Sequence, residues 1–556
     1  MNNNVKRLLA ATLALSMLTG CGSTKQQTPT MNNGSYSDVF TPAGDANAGA
    51  GQVESVKDVV SNMFDGFMSS TESAVMTPPM GVYDEGIYMP QDEFNTTEIK
   101  DVEETGFSSV LVNPLSTFSA DVDTASYTLL RQSINYDMLP TSVRIEEMLN
   151  YFDWDIEHSG EDPFYIHSEI FDNPWNKDTK LMLLVAKGKE LSEDKEIKNN
   201  IVLLIDISGS MDEEMNSVKE TALKMCEQFD EDDRISIVTY AGNTSILANG
   251  LTGSDIAEIK VALQGLSAGG STNGGAALDI AYDLAMKYHG DDTNSRIIVM
   301  SDGDFNVGLT TEASLVDLIK EKRDQGVYLS ILGYGYGNVS DSNLESMADH
   351  GNGNYSFVLD KQEMNKICRE LTSMFVTLGA DFKFQVEFNP EQVKGYRLIG
   401  YENRRLSEED FEDDTVDAGE VGYGHQVAVL YEIVPADSEF EVGGNSELKY
   451  QNSEVTTTGS TDWCTVSYRF KDKIGEESQL FESVVKQDSY TGESSVRAKF
   501  AAMVGAFGQI VNDGQFLNGF DISDVKTGLR SIENDVFIDD YKETFIDVVK
   551  AYSKLM

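Results

Sequence analysis

Ile201-Val-Leu-Leu-Ile-Asp206-Ile-Ser208-Gly-Ser210-Met-Asp212 is the stretch on which the fold turns. Its five leading apolar residues, rich in Ile and Leu and too short a run for a helix, read as a buried parallel strand. The strand delivers one carboxylate and two hydroxyls at the spacing Asp-x-Ser-x-Ser, and a helix-like segment follows at once. In an open α/β sheet, ligands bind in the crevice outside the carboxyl ends of the strands, so these donors fall where such a fold keeps its site. Hard oxygen donors without thiolate or imidazole suit a divalent cation, Mg²⁺ first and Mn²⁺ or Ca²⁺ next, rather than zinc.

Outward from this strand the pattern alternates. Strands are expected at Asn200–Ile205, Arg234–Ala241, Arg296–Met300, Val327–Leu332 and Tyr355–Leu359, with an antiparallel edge near Thr244–Leu251. Helices are expected near 213–229, 254–266, 274–288, 311–325, 341–349 and 361–377. That is a doubly wound, mostly parallel α/β sheet. Two further loops fall at the same sheet edge. Gly269-Gly-Ser-Thr272-Asn-Gly-Gly275 precedes a helix and offers the Thr272 hydroxyl. Ser301-Asp302-Gly303-Asp304 ends the strand Arg296–Met300, which puts Asp302 at its tip. Three loops thus bring two carboxylates and three hydroxyls to one place.

With those residues in view, the region from about 199 to 378 resembles a von Willebrand factor A (VWA) domain. Its metal-site motif, Asp-x-Ser-x-Ser with a later Thr and Asp, is matched by Asp206, Ser208, Ser210, Thr272 and Asp302. The block 118–155, this core and the tail from about 380 resemble the bacterial YfbK-like VWA lipoproteins. The resemblance implies that Ser208, Ser210 and, with ligand bound, Thr272 coordinate the cation directly, while Asp206 and Asp302 act mainly through bound water. It implies no catalytic residues. The expected function is that of a membrane-anchored extracytoplasmic adhesion or scaffold module, whose cation bridges to a Glu or Asp of a partner protein. The competing reading is a metal-assisted hydrolase of the cell envelope, but no His, Lys or Glu is tied to the metal loops by a motif. A nucleotide site at Gly269–Gly275 fails because no Gly-Lys-Ser/Thr follows.

The rest of the chain frames this domain. Residues 1–20 read as a signal peptide: Lys6 and Arg7 are basic, and Leu8–Leu18 is apolar but too short to span a bilayer. Leu18-Thr-Gly-Cys21 resembles a lipobox, which makes Cys21 the lipid-bearing residue and anchors the protein at the cell membrane or outer membrane. Residues 21–106 are read as a flexible tether carrying a short amphipathic helix at Val53–Met68. Residues 107–160 are expected to be helical, with Asp121 and Asp123 as turn and cap residues rather than a second cation site. The strands within 161–197 should pack with the β-rich segment 379–475 as one sandwich, with the VWA domain (198–378) inserted between them. Residues 476–556 are expected to be helical. The acid-rich stretch Ser407–Glu420 reads as a solvated loop, since it lacks the spacing of a calcium-binding EF-hand.

At 556 residues and 40% hydrophobic content the chain can bury several cores. A net charge of −51 repels phosphate backbones, so no nucleic acid is expected as a partner, and it attracts cations and basic proteins. Cys226, Cys368 and Cys464 are far apart, without Cys-x-x-Cys spacing, and Cys226 and Cys368 lie in apolar surroundings that suit buried free thiols.

Overall fold

The computed structural model describes residues 104–556 apart from 121–122, 193–196, 271–273, 291, 304–311, 336–340, 371–375, 444–457 and 473–475. The signal peptide, Cys21, the tether up to residue 103, Asp121, Thr272, Asp304 and the strand expected at Glu447–Tyr450 lie outside the described residues. The chain opens with strands β1 (Ser108–Ser109) and β2 (Leu115–Ser119) and helices α1 (Ala125–Asn135) and α2 (Ile145–Asn150). Strands β3 (Phe164–Asp172) and β4 (Lys180–Gly188) follow as an antiparallel pair.

The α/β domain then begins at β5 (Lys198–Asp206) and continues α3 (Met215–Cys226), β6 (Arg234–Tyr240), β7 (Thr244–Leu251), α4 (Ile256–Gln264), α5 (Gly275–Tyr288) and β8 (Thr293–Ser301). It ends α6 (Glu312–Asp324), β9 (Val327–Gly333), α7 (Asp341–His350), β10 (Tyr355–Phe357) and α8 (Lys361–Arg369). The sheet order is β10-β9-β8-β5-β6-β7, parallel throughout except for the antiparallel edge β7. β5 is central and its apolar residues alternate between two cores. Val202 and Leu204 face the side covered by α5, α6 and α7, while Ile201, Leu203 and Ile205 face α3, α4 and α8. Burial on both faces is why the run reads as continuously apolar.

After the α/β domain come β11 (Thr377–Phe388), β12 (Val393–Ile399), the short helix α9 (Glu408–Glu412), β13 (Gly419–Gly422), β14 (Gln426–Pro435) and β15 (Cys464–Lys471). Strands β16 (Gln479–Val485) and β17 (Tyr490–Gly492) lead into helices α10 (Val496–Val511), α11 (Ile522–Arg530) and α12 (Asp540–Leu555). One sheet runs β1-β12-β14-β4-β3-β17 and the other β13-β11-β15-β16, with β2 paired to β11. Strands from before and after the α/β domain therefore share one sheet, with Leu183 opposite Leu430, and the domain is an insertion in a β-sandwich. On β14, Val427, Val429, Tyr431 and Ile433 enter the sandwich core. Ala428 and Leu430 enter a second core beneath α1, α2 and the C-terminal helices. Among the described residues no helix is long and apolar enough to cross a membrane.

Several expectations need correction. The helix expected to 377 ends at Arg369, and by Thr377 the chain is already in β11. The expected helical block 107–160 contains β1 and β2, and the C-terminal one contains β16 and β17. These strands are short or half-exposed, and their partners lie far away in sequence, as when Phe118 pairs with Phe384. The stretch Ser407–Glu420 is partly ordered. Ser407 and Asp410 form a capping box on α9, Phe411 is buried, and the segment ends in β13. Cations of the chain itself serve this acid-rich loop. Lys383 donates to the carbonyls of Asp410 and Asp413 at 3.1 and 2.6 Å. Lys471 donates to the Asp414 carbonyl at 2.7 Å and to the Asp381 carboxylate at 2.6 Å.

The seam between the domains is polar. Arg131 on α1 pairs with Asp360 at 2.7 Å and Glu363 at 3.0 Å. Arg404 pairs with Asp123 at 3.2 Å and Asp349 at 3.3 Å, and Arg323 with Asp417 at 2.8 Å. Asp123 is thus no helix cap; it also accepts the Tyr355 amide at 2.8 Å and fixes α1 to the sheet. Near the seam His425 is half-buried, its Nε2 shielded from solvent and without a hydrogen-bond partner among the described residues, and this desolvation holds the ring neutral by lowering its pKa to about 4. Between pH 4 and 6.5 the unfolded chain binds this proton and the folded chain does not, so stability falls as pH drops through that window. The wild type should lose roughly 2–3 kcal/mol more than His425→Gln between pH 7 and 4. Urea unfolding of both proteins across that range tests this, and parallel curves would refute it.

Candidate metal centre

The register of the parallel sheet assembles the site. Ile205 on β5 pairs with Met300 on β8, so Asp206 lies beside Ser301, and Asp302 stands one residue past the tip of β8. Asp206 is fully buried and both of its oxygens are held: the Ser208 amide donates to Oδ1 at 2.8 Å and the Ser301 hydroxyl to Oδ2 at 3.1 Å. Ser208 and Ser210 place their hydroxyl oxygens 3.0 Å apart, with the short 3₁₀ turn Gly209–Asp212 beginning between them. The second loop is stitched to the first by backbone. Gly269 donates to the Ile207 carbonyl at 2.8 Å, and Gly209 to the Gly270 carbonyl at 3.2 Å. Gly270 has φ of 98°, a conformation that a β-carbon resists, and this lets the loop turn in against Ala241 and Gly242.

The structure thus brings Asp206, Ser208, Ser210 and Asp302 to one edge, together with the loop that leads to Thr272. Electrostatically the edge is short of positive charge. Burial pushes the Asp206 carboxyl up and the charge of Asp302 adds to this, while hydrogen bonds from Ser208 and Ser301 pull it down. Glu214 is pushed up by burial, then by Glu213 and Asp302. Asp302 Oδ1 is buried and has no hydrogen-bond partner among the described residues. A buried, unsatisfied carboxylate oxygen beside a second carboxylate and two clustered hydroxyls fits a hard divalent cation. Ser208 and Ser210 could ligate it directly. Asp206, with both oxygens engaged, would act through water. Among the described residues no three His, Cys, Asp or Glu side chains form a metal cluster, and the donors here are mainly hydroxyls.

Two residues of the site were given no role by the sequence. Ser301 holds Asp206, and its only local signal is that it precedes Asp302. The Tyr240 hydroxyl, at the end of β6, lies against Asp206 and Ser301 and is pushed well above its ordinary pKa by burial and then by the Asp206 charge. The cysteines play no part here. Cys226, Cys368 and Cys464 are free and buried, and burial raises Cys226 to about 12 and Cys368 to about 11, which leaves both as inert thiols.

Comparison with known proteins covers most of the described chain. The family model described as "Uncharacterized protein YfbK, C-terminal" matches residues 373–555, "von Willebrand factor" matches 93–183, and "von Willebrand factor type A domain" matches 200–370. Uncharacterized protein YfbK of Escherichia coli (strain K12) is 36% identical over 446 residues, which is 78% of this chain and 77% of that protein. Among solved structures, von Willebrand factor type A from Catenulispora acidiphila is 16% identical, with a TM-score of 0.38 over 70% of this chain and 89% of its own. A structure of proximal thread matrix protein 1 from the mussel byssus, described with a zinc-occupied MIDAS motif, is 17% identical, with a TM-score of 0.26 over 32% of this chain and 46% of its own.

Proposed function

This chain belongs to the YfbK family and carries a VWA domain at its centre, and from that premise we propose that it is a cell-envelope binding module that captures a partner protein through a metal ion. The ion is divalent, Mg²⁺ first, and sits among Ser208, Ser210, Thr272, Asp206 and Asp302. The observation that carries this reading is the buried Oδ1 of Asp302, without a hydrogen-bond partner among the described residues, beside the fully engaged carboxylate of Asp206. With few carboxylates in direct contact, the ion stays under-neutralised, and a partner's Glu or Asp supplies the missing charge. Cys21 anchors the protein by lipid to the cell membrane or outer membrane, so the partner is extracytoplasmic.

The test is binding of a Glu-containing peptide to the full chain by calorimetry, in Mg²⁺ and then in chelator. Binding in Mg²⁺ that disappears with chelator, and disappears when Glu is replaced by Gln in the peptide, is the expected result. Binding indifferent to chelator would overturn the proposal. Magnesium-dependent hydrolysis of a generic ester would replace it with the hydrolase reading.

A further inference from the structure

The metal edge is flanked on both sides by surface that the metal motif does not explain. On one side stands α1, from outside the α/β domain, laid along the edge strand β10. Asp123, just before α1, accepts the amide of Tyr355, which pairs with Ile331. Gln132, further along α1, donates to the Gly335 carbonyl at 2.8 Å, beyond the tip of β9. The rise from 123 to 132 in a helix is about 13 Å, and so is that from 331 to 335 in a strand. α1 therefore runs with the strands and ends at the metal edge. Gly335 itself stands against the site, since a β-carbon there would lie 3.2 Å from the Cβ of Asp302.

Tyr136 follows Gln132 by one turn on the same helical stripe, roughly 6 Å further out, so it overlooks the edge. The helix is closed off there by a Schellman cap. Asp137 adopts φ of 57°, its amide donates to the Ile134 carbonyl at 3.0 Å, and the Met138 amide donates to Ser133 at 2.9 Å. The cap holds two large apolar side chains in solvent: Tyr136 is 56% and Leu139 45% exposed. Beyond the other face of the sheet, at the start of α3, Asp212 and Glu213 are exposed and Glu214 is half-buried within range of the Asp302 charge. α1 and α3 belong to the cores on opposite faces of the sheet, so the apolar wall and the acidic wall stand on opposite sides of the metal loops.

We propose that a partner segment is read on both sides of its metal-seeking carboxylate, with a basic residue set against Asp212–Glu214 and an apolar residue against Tyr136 and Leu139. The proposal rests on the metal-bridged reading above and names the class of partner: a segment in which one acid lies between a Lys or Arg and a large aliphatic residue. Charge complementarity fixes the basic side, because an uncompensated acid close to three carboxylates on a chain of net charge −51 is repelled. Exposed apolar area at the end of α1, one helical turn past the Gln132–Gly335 contact, fixes the other side.

The test uses capped pentapeptides with the full chain in Mg²⁺: Gly-Lys-Glu-Leu-Gly, its reverse Gly-Leu-Glu-Lys-Gly, Gly-Lys-Glu-Gly-Gly and Gly-Gly-Glu-Gly-Gly. One of the two Lys/Leu orders should bind about tenfold tighter than the all-glycine peptide. Tyr136→Ser with Leu139→Ser should bring the better Lys/Leu peptide down to the level of the Lys-only peptide. Glu213→Gln with Glu214→Gln should remove the gain from Lys and leave the all-glycine peptide bound. A Lys/Leu preference that survives both double variants overturns this proposal and spares the metal reading. Absence of magnesium-dependent binding by every peptide overturns both.

Discussion

Asp206→Asn should abolish magnesium-dependent ligand binding and leave the metal-free fold intact, while Asp206→Ala should abolish binding and also cost some stability. The carboxylate of Asp206 is fully buried and receives the Ser208 amide and the Ser301 hydroxyl. Asparagine keeps an acceptor for Ser208 and removes the charge that the ion requires. Alanine leaves both donors without an acceptor, a loss of about 1–3 kcal/mol, offset in part by removing one of two neighbouring buried carboxylates. The readout is thermal unfolding in Mg²⁺ against chelator. A ligand at 100 times its dissociation constant stabilises the folded state by about 2.7 kcal/mol, which for a domain of this size raises Tm by several degrees. The wild type should show that rise and both variants should not. An equal rise in Asp206→Asn would mean the ion sits elsewhere.

The second large effect is expected far from that edge, where Arg397 and Glu432 hold the sandwich to its helical cover. Arg397 on β12 and Glu432 on β14 are buried and 2.8 Å apart. Arg397 also reaches Glu104 at 2.6 Å and donates to the side-chain amide oxygen Oε1 of Gln509 on α10 at 2.8 Å, with its guanidinium 4.4 Å from the Phe516 ring centre. Glu432 accepts from Asn173, Thr179 and Trp175 at 2.9, 2.7 and 3.3 Å, in and beside the turn between β3 and β4. Arg397→Met strands a buried carboxylate and should cost about 3–5 kcal/mol in urea unfolding. Glu432→Gln keeps the acceptor for the turn and should cost less. The double variant should cost less than the sum of the two, because the stranded charge is gone. A cost for Arg397→Met below about 1 kcal/mol would show that the pair is dispensable.

Much of the α/β domain was legible because its signals are local. The apolar run before Asp206, the alternation of strand and helix, and the glycines at 269, 270 and 303 each follow from a few adjacent residues, and β5 to β10 fall close to where these signals put them. The sandwich was legible only as a set of strands in need of partners. β2, with its hydroxyl-rich Leu-Ser-Thr-Phe-Ser, and β16, with Leu480 and Val484 exposed, carry too weak an alternation to be read before their neighbours on β11 and β15 are known. The same holds for Asp123. Its sequence context suggests a helix cap, and only the fold brings it to Arg404 and to the Tyr355 amide.

The sequence by itself determined the parallel sheet, the Asp-x-Ser-x-Ser loop at the tip of its central strand and the family to which the chain belongs, because periodicity and motif spacing depend on neighbours within a few residues. Tertiary structure alone decided that Ser301 holds Asp206 with Tyr240 lying against it, that Asp302 Oδ1 has no hydrogen-bond partner among the described residues, and that a helix from outside the domain reaches Gly335 beside Asp302. Those relations depend on the register between β5 and β8 and on the packing of α1 against β10. Both are fixed by the summed burial of side chains that are distant in sequence, and no local window contains that sum.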